Sequence, residues 1–279
     1  VIRVCVIGWP ISHSRSPLIH GYWLKQHNID GSYTRQPVEP SALNAFLTDL
    51  SGAGYSGCNV TIPHKENAYR LVTAADETTE RLGAVNTVFM REGKVFGTNT
   101  DGEGFINSLY HSAPALSLRN SRAVVLGAGG ASLAVVNAIL EQGASEVAVA
   151  NRTVEKVHAL RQRFGSRVVP LDWGRMADQL SECSLLVNTT SLGMKGQPGI
   201  ELDLARLSPS AVVSDIVYTP LRTKLLQDAA RKGHVVVEGL GMLLHQAVRG
   251  FSLWFGVTPD VTAELHALVA RDIDPDYRP

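Results

Sequence analysis

The stretch from Val124 to Asn151, VVLGAGGASLAVVNAILEQGASEVAVAN, constrains the fold of this chain more than any other. Val124, Val125 and Leu126 form an apolar run of buried-strand type, followed by Gly127, Gly129 and Gly130 where a tight turn must open into a helix. Ala134, Val135, Ala138 and Ile139 then recur at helical spacing, Gly143 closes the helix, and Glu146 to Ala150 alternates into a β-branched strand. The order strand, glycine turn, helix, strand is that of a mononucleotide-binding βαβ unit. Glycine there lets backbone N–H groups approach a phosphate at the positively polarised start of the helix. A strict G-x-G-x-x-G would have a third glycine where this chain has Ser132, which is still small enough for close helix–strand packing. Taken alone the glycines also fit a plain strand-to-helix turn, so the flanks carry the reading.

The end of the second strand bears on which dinucleotide fits. An acidic residue there would bond the ribose hydroxyls of NAD, but the chain has Asn151, Arg152 and Thr153. A guanidinium fork and a hydroxyl suit a 2′-phosphate. Lys156, one helical turn beyond Arg152, adds a second positive charge. The competing reading makes Arg152 and Lys156 solvated residues at an ordinary helix start. NADP(H) is the expected cofactor.

The 279 residues suffice for one large or two medium domains, and a 44% hydrophobic content supplies a core for each. With 26 basic and 26 acidic side chains there is no global field to attract nucleic acid or an anionic membrane. Any anion must therefore be bound locally. Cys5, Cys58 and Cys183 lie far apart, giving neither a disulfide framework nor a metal-ligand spacing, and they point to a reducing, cytoplasmic setting. The opening VIRVCVIG reads as a strand of the fold and not as a secretory leader. The longest uncharged stretch, Ala123 to Leu140, is interrupted by three glycines, Ser132 and Asn137, which a βαβ unit explains and a membrane span does not.

Other strand and helix signals alternate along the chain. Val1–Ile7 reads as a strand ending in the hydroxyl-rich loop Gly8–Pro17, with Ser16 as N-cap and Pro17 at the first helical position. A helix to about His27, a strand Gly31–Val38 and a helix Ser41–Leu50 follow. A third strand, Tyr55–Val60, delivers Asn59, Thr61, Pro63, His64 and Lys65 at its C-terminal end, where open α/β sheets bind ligands. Ala84–Met90 and Lys94–Asn99 pair as a hairpin, and Asn99-Thr100-Asp101-Gly102 enters the next helix. Beyond Asn151, strands are expected at Arg167–Leu171, Leu185–Thr189, Ala211–Val217 and His234–Glu238, with Thr219 capping a helix that Pro220 begins. Met242 to about Phe255 and a helix from Thr258-Pro259 close the chain, with Asp272 to Pro279 as an exposed tail.

Several motifs together resemble the shikimate dehydrogenase family. They are Gly8-x-Pro10-Ile11-x-His13-Ser14-x-Ser16-Pro17, Asn59-Val60-Thr61-x-Pro63-x-Lys65, Gly83-Ala84-Val85-Asn86-Thr87 and Asn99-Thr100-Asp101-Gly102. Gly127-Ala128-Gly129-Gly130-Ala131, Asn151-Arg152-Thr153 and Gly239-Leu240-Gly241-Met242-x-x-x-Gln246 extend the resemblance over nearly the whole chain. One departure is Gly21, where the family usually has Asn after His20.

The resemblance implies two α/β domains: a substrate-binding, catalytic domain over 1–111 and a Rossmann-type NADP-binding domain over 112–238. The C-terminal helices, 239–279, would return to pack on the first. It implies NADPH-dependent, reversible reduction of 3-dehydroshikimate to shikimate, with Lys65 as proton donor and acceptor and Asp101 orienting it. Ser14 and Ser16 would take the substrate carboxylate, with Thr61, Asn86, Tyr218 and Gln246 completing the substrate site. Ile216, Gly239 and Met242 would join Gly127, Ala128, Gly129, Gly130, Ala131, Asn151, Arg152, Thr153 and Lys156 around the cofactor. Independently of the family, a polyhydroxylated carboxylate calls for such neutral hydroxyls and amides, and a ketone receiving hydride calls for a nearby proton donor.

Bland alternatives stand beside these. The less favoured readings make Lys65 and Asp101 a surface ion pair, Ser14 and Ser16 caps, Asn86 a strand-edge amide and Tyr218 a packing aromatic. His13, His64 and His245 lack metal-ligand spacing and read as structural, so no metal is expected. An NAD-dependent quinate/shikimate dehydrogenase and a non-catalytic NADP-binding regulator are the rival functions. Partners are restricted to the small-molecule substrate, with the chain a monomer or homodimer and neither nucleic acid nor membrane bound.

Overall fold

The computed structural model describes residues 1–278, so the last residue of the expected tail, Pro279, lies outside the described residues. The chain forms two compact units, one of residues 1–100 with 246–269 and the other of 101–245 with the described residues from Ala270 onward.

The first unit opens with β1 (Ile2–Gly8), α1 (Ser16–Gln26), β2 (Gly31–Pro37), α2 (Leu43–Thr48), β3 (Gly57–Val60) and α3 (Lys65–Leu71). Then follow β4 (Thr73–Ala74), α4 (Glu77–Leu82), β5 (Thr87–Arg91) and β6 (Lys94–Thr98). Its six strands form one mixed sheet ordered β2-β1-β3-β5-β6-β4. β1 runs parallel to β2 and β3, whereas β5 is antiparallel to both β3 and β6. The ends of β1, β3 and β6 and the start of β5 therefore lie at one edge of the sheet. One face buries Cys5, Ile7, Cys58 and Val60 with Leu43, Leu47 and Leu50 of the α2 region. The other carries an aromatic cluster of His20, Trp23, Tyr33, Phe251 and Trp254, the last two supplied by the C-terminal part of the chain.

The second unit comprises α5 (Asp101–Ser112), β7 (Arg122–Leu126), α6 (Gly130–Glu141), β8 (Glu146–Ala150), α7 (Val154–Phe164) and β9 (Val168–Leu171). It continues with β10 (Cys183–Asn188), β11 (Val212–Asp215), α8 (Lys224–Arg231) and β12 (Val235–Val237). Its sheet is wholly parallel and ordered β12-β11-β10-β7-β8-β9. The order reverses at β7, as in a dinucleotide-binding doubly wound fold. Val125, Val147, Val149 and Val187 face one core, while Val124, Leu126, Ala148 and Leu186 face the other. A sheet covered on both faces explains why these strands are continuous apolar runs. Two last helices, α9 (Gly239–Phe255) and α10 (Ala263–Ile273), complete the chain, and residues 246–269 of this region belong to the first unit. Among the described residues no helix is long and apolar enough to cross a membrane.

Local corrections follow from tertiary partners. The helix expected from Thr219 and Pro220 begins instead at Lys224, because Thr223 both caps it, accepting from Leu226 N, and donates to buried Asp215. α9 starts at Gly239, and the helix expected from Thr258-Pro259 starts at Ala263. Ser16 is not an N-cap but the first helical residue, and no side chain caps α1. α5 goes with the second unit, since its Gly102 lies so close to α6 that a Cβ would be 3.0 Å from Ala134 O. Gly21 faces open space on α1, so the missing Asn disturbs nothing local.

Candidate active site

In the first unit, parallel β1 and β3 aim their C-terminal loops in one direction, which brings Ser14, Ser16, Thr61 and Lys65 to the same edge. The Arg35 guanidinium holds the serine loop by two bonds to Ser14 O, at 2.9 and 2.6 Å. Ser14 Oγ donates to Ser16 Oγ at 3.3 Å and accepts from Ser16 N. Freed from capping, Ser16 Oγ accepts from Ser14 Oγ within the cluster. Thr61 N bonds Ile7 O, and Lys65 opens α3 directly after His64, whose Nε2 donates to Val38 O at 2.7 Å. His64 is thus structural, tying the start of α3 to the end of β2.

Asn86 sits just before β5, is buried, and receives Thr100 N and Thr87 Oγ1 on its carbonyl oxygen, each at 2.9 Å. Its Nδ2 donates to Thr100 Oγ1 at 3.0 Å and toward Gln246 Oε1 at 3.5 Å. Thr100 Oγ1 also bonds Gln246 O, anchoring α9 beside the end of β6. Asn86 is therefore more than a strand-edge amide: the fold unites it with Gln246, remote in sequence. His20 and Tyr33 stack at 4.0 Å behind this cluster. Burial drives the His20 pKa down to about 3, so the ring is neutral.

In the second unit, Gly127 takes φ +105°, and a Cβ there would lie 2.8 Å from Thr190 Cγ2. Gly129 and Gly130 are exposed and open in front, at the N-terminus of the twelve-residue α6. Thr189 Oγ1 donates to Leu126 O, so the Ser132 hydroxyl must donate to Thr189, leaving its oxygen to accept from Gly129 N. Asn151 Oδ1 accepts from Ala128 N and its Nδ2 donates to Thr153 O, linking the glycine turn to the loop after β8. Arg152, Thr153 and Lys156 are exposed there, and the acidic residue expected of an NAD site at the end of β8 is replaced by Asn151. Arg152 precedes α7, so helical spacing does not relate it to Lys156. An open glycine cradle, a helix N-terminus and a guanidinium where an acid would exclude a phosphate together fit a 2′-phosphorylated dinucleotide.

Ala128, Ile216 and Met242 border a single core of this unit, and a Cβ on Gly239 would strike Ile216 O at 2.4 Å. Tyr218 is half-buried in the loop after β11, and Asp101 is the first residue of α5. Sequence reasoning missed Asn188, Thr189 and Asp215. Asn188 Oδ1 accepts from Thr190 N while its Nδ2 donates to Asp215 Oδ1, which also accepts from Val217 N. The signal was a polar run after a strand, the same signal that flagged Thr61 and Lys65. Among the described residues no cluster of ligating side chains could hold a metal ion.

Nearly the whole chain has relatives among known proteins. Residues 6–88 match the shikimate dehydrogenase substrate binding domain, 111–194 the shikimate/quinate 5-dehydrogenase family, and 239–267 the shikimate 5′-dehydrogenase C-terminal domain. A shikimate dehydrogenase (NADP(+)) of Rhodopseudomonas palustris strain TIE-1 is 54% identical over 271 residues, 97% of each chain. The structure of Thermus thermophilus shikimate 5-dehydrogenase, in complex with NADP(H) and shikimate, superposes with TM-score 0.85 at 36% identity, covering 98% of this chain and 100% of that one. Quinate dehydrogenase from Corynebacterium glutamicum in complex with NAD gives 0.88 at 30% identity, over 96% and 98%. The chain belongs to the shikimate dehydrogenase family.

Proposed function

We propose that this chain catalyses the reversible NADPH-dependent reduction of 3-dehydroshikimate to shikimate, a step toward chorismate and the aromatic amino acids. The observation that carries the reading is the gathering of Ser14, Ser16, Thr61, Lys65, Asn86 and Gln246 in one unit, with an open glycine turn and Arg152 in the other. We assign substrate binding to the N-terminal unit and NADP(H) binding to the Rossmann-type unit. The substrate unit is residues 1–100 with 246–269, and the cofactor unit is 101–245 with the chain from Ala270 onward. The enzyme acts in the cytoplasm as a monomer or homodimer.

Bound NADPH supplies the hydride. Ser14 and Ser16 hold the substrate carboxylate, while Thr61, Asn86, Tyr218 and Gln246 bond its hydroxyls. Reduction of the ketone leaves negative charge on its oxygen, and the Lys65 ammonium stabilises that charge and gives Nζ–H to it. In the reverse direction the Lys65 amine accepts the hydroxyl proton, with Asp101 assisting. Gly127 to Ala131 with Asn151, Arg152, Thr153 and Lys156 would hold the cofactor at its phosphates, and Ile216, Gly239 and Met242 would complete its site.

The test is NADPH oxidation by the purified protein with 3-dehydroshikimate, run beside NADH and quinate. NADPH-preferring turnover is expected, and Lys65→Ala should cut it by about 10²–10⁴-fold with NADPH affinity unchanged. Preference for NADH and quinate would transfer the chain to the quinate dehydrogenase reading. Dinucleotide binding without any turnover would make it a regulator.

A further inference from the structure

Behind Asn86 lies a buried series of hydrogen bonds whose direction can be read atom by atom. The carboxamide atom of Asn59 that is 3.0 Å from Asn86 O must be nitrogen, because a carbonyl oxygen only accepts. The other atom is then Oδ1, and it accepts from the Tyr33 hydroxyl at 2.5 Å. Asn59 Nδ2 also donates to Thr87 Oγ1 at 3.1 Å, so the single Thr87 hydroxyl proton is left to bond Asn86 Oδ1 at 2.9 Å. Each link has one polarity, running from Tyr33 through Asn59 and Thr87 to Asn86. The antiparallel register, which sets Asn59 opposite Thr87, brings the links together.

All four side chains are buried. The Tyr33 ring is clamped against His20 at 4.0 Å and lies 6.0 Å from Trp254, so its hydroxyl has a fixed origin. Burial raises the phenol well above its ordinary pKa, with Ser16 acting in opposition as a hydrogen-bonding neighbour, so the phenol stays protonated, and its proton faces the acceptor-only Asn59 Oδ1.

We propose that Tyr33 is a positioning residue for substrate recognition, acting through Asn59 and Thr87 to hold the Asn86 carboxamide with its oxygen inward and its N–H edge turned toward Gln246. The inference deepens the functional reading above and rests on it for the identity of the substrate. Without the phenol, Asn59 Oδ1 loses the donor that fixes the plane of its amide; Asn86 O still selects the nitrogen end, but the amide can tilt and its bond to Thr87 Oγ1 slackens. The Thr87 hydroxyl is then free to turn, and Asn86 Oδ1 is held less firmly on that side. Asn86 would keep its polarity through Thr100 N but lose the fixed tilt at which its carboxamide meets the substrate.

The experiment is Tyr33→Phe, which keeps the ring stacked on His20 and removes one oxygen, beside Thr87→Val, which breaks the series one link later. For each variant, KM for 3-dehydroshikimate should rise by roughly 2- to 13-fold, the worth of one neutral hydrogen bond. kcat and KM for NADPH should change by less than about twofold, as for loss of an interaction equal in ground and transition states. In the double variant the two effects should not multiply, because both break one series.

The Asn86 side-chain NH2 resonances in ¹⁵N-labelled protein give a readout that needs no substrate. They should be two sharp, slowly exchanging signals in the wild type and should broaden or average in Tyr33→Phe. Unaltered KM in both variants, multiplying effects in the double variant, or unaltered Asn86 signals would each overturn the proposal. A wild type inactive on 3-dehydroshikimate, with the Asn86 signals still responding to Tyr33→Phe, would sink the substrate reading and leave the positioning role standing. If Tyr33→Phe does not fold, Thr87→Val carries the same kinetic and spectroscopic tests.

Discussion

Asp215 is a carboxylate buried at the end of β11 whose three hydrogen-bond partners, Asn188 Nδ2, Val217 N and Thr223 Oγ1, are all neutral. Burial raises its pKa from 3.8 to about 6, against the opposing pull of those donors. A folded-state value above the unfolded one means that the native protein binds more protons between those limits. This group's contribution to stability is therefore present at the acid end and is lost as pH rises from 3.8 to about 6. Asn cannot titrate, so the stability difference of wild type minus Asp215→Asn should fall across that window when measured by denaturant unfolding. A flat or rising difference would show that the carboxylate is not desolvated as its surroundings imply. His20 acts with the opposite sign, since its lowered pKa removes stability as pH falls below 6.5, so only the difference between variants isolates Asp215.

At the scale of an element, the turn between β7 and α6 separates two uses of glycine. Gly127 is conformational: at φ +105° and with Thr190 Cγ2 2.8 Å from a Cβ, Gly127→Ala should cost about 1–3 kcal/mol of stability. Gly129 has φ −93° and nothing near a Cβ, so Gly129→Ala should change stability by less than about 0.5 kcal/mol. If the turn cradles a phosphate, that methyl group must nevertheless weaken NADP⁺ binding, read by calorimetric titration. Unchanged affinity in Gly129→Ala would remove the phosphate from this turn. This element was legible in the sequence because strand, turn and helix are consecutive and each carries a local signal. Helix starts after β11 were not, because Thr219 and Thr223 are equally good caps in sequence and only the buried Asp215 chooses between them. The Tyr33–Asn59–Thr87 series was invisible for a related reason: it exists only once the register of β3 against β5 is known.

For the whole molecule, the two units are interleaved in the chain, with crossings at 100/101, 245/246 and 269/270. Sequence placed the first junction near Ser112, where Pro114 interrupts any helical period, but the close approach of Gly102 to Ala134 and Ala138 binds α5 into the second unit. Neither is the first unit complete without the C-terminal helices, since Phe251, Trp254 and Leu265 are buried with it. Helix α9 is shared, its residues 239–245 counted with the second unit and 246–255 with the first. If the two units divide the ligands as proposed, each ligand alone should order its own unit, because binding stabilises the state that makes the contacts. Hydrogen exchange read by mass spectrometry should show NADP⁺ slowing amides over 122–141, 151–156 and 239–245. Shikimate alone should slow 8–17, 59–65, 86–100 and 246–255, so that the two halves of one continuous helix respond to different ligands. Protection by shikimate confined to 101–245, or by NADP⁺ confined to 1–100, would reverse the division of labour assigned to the units.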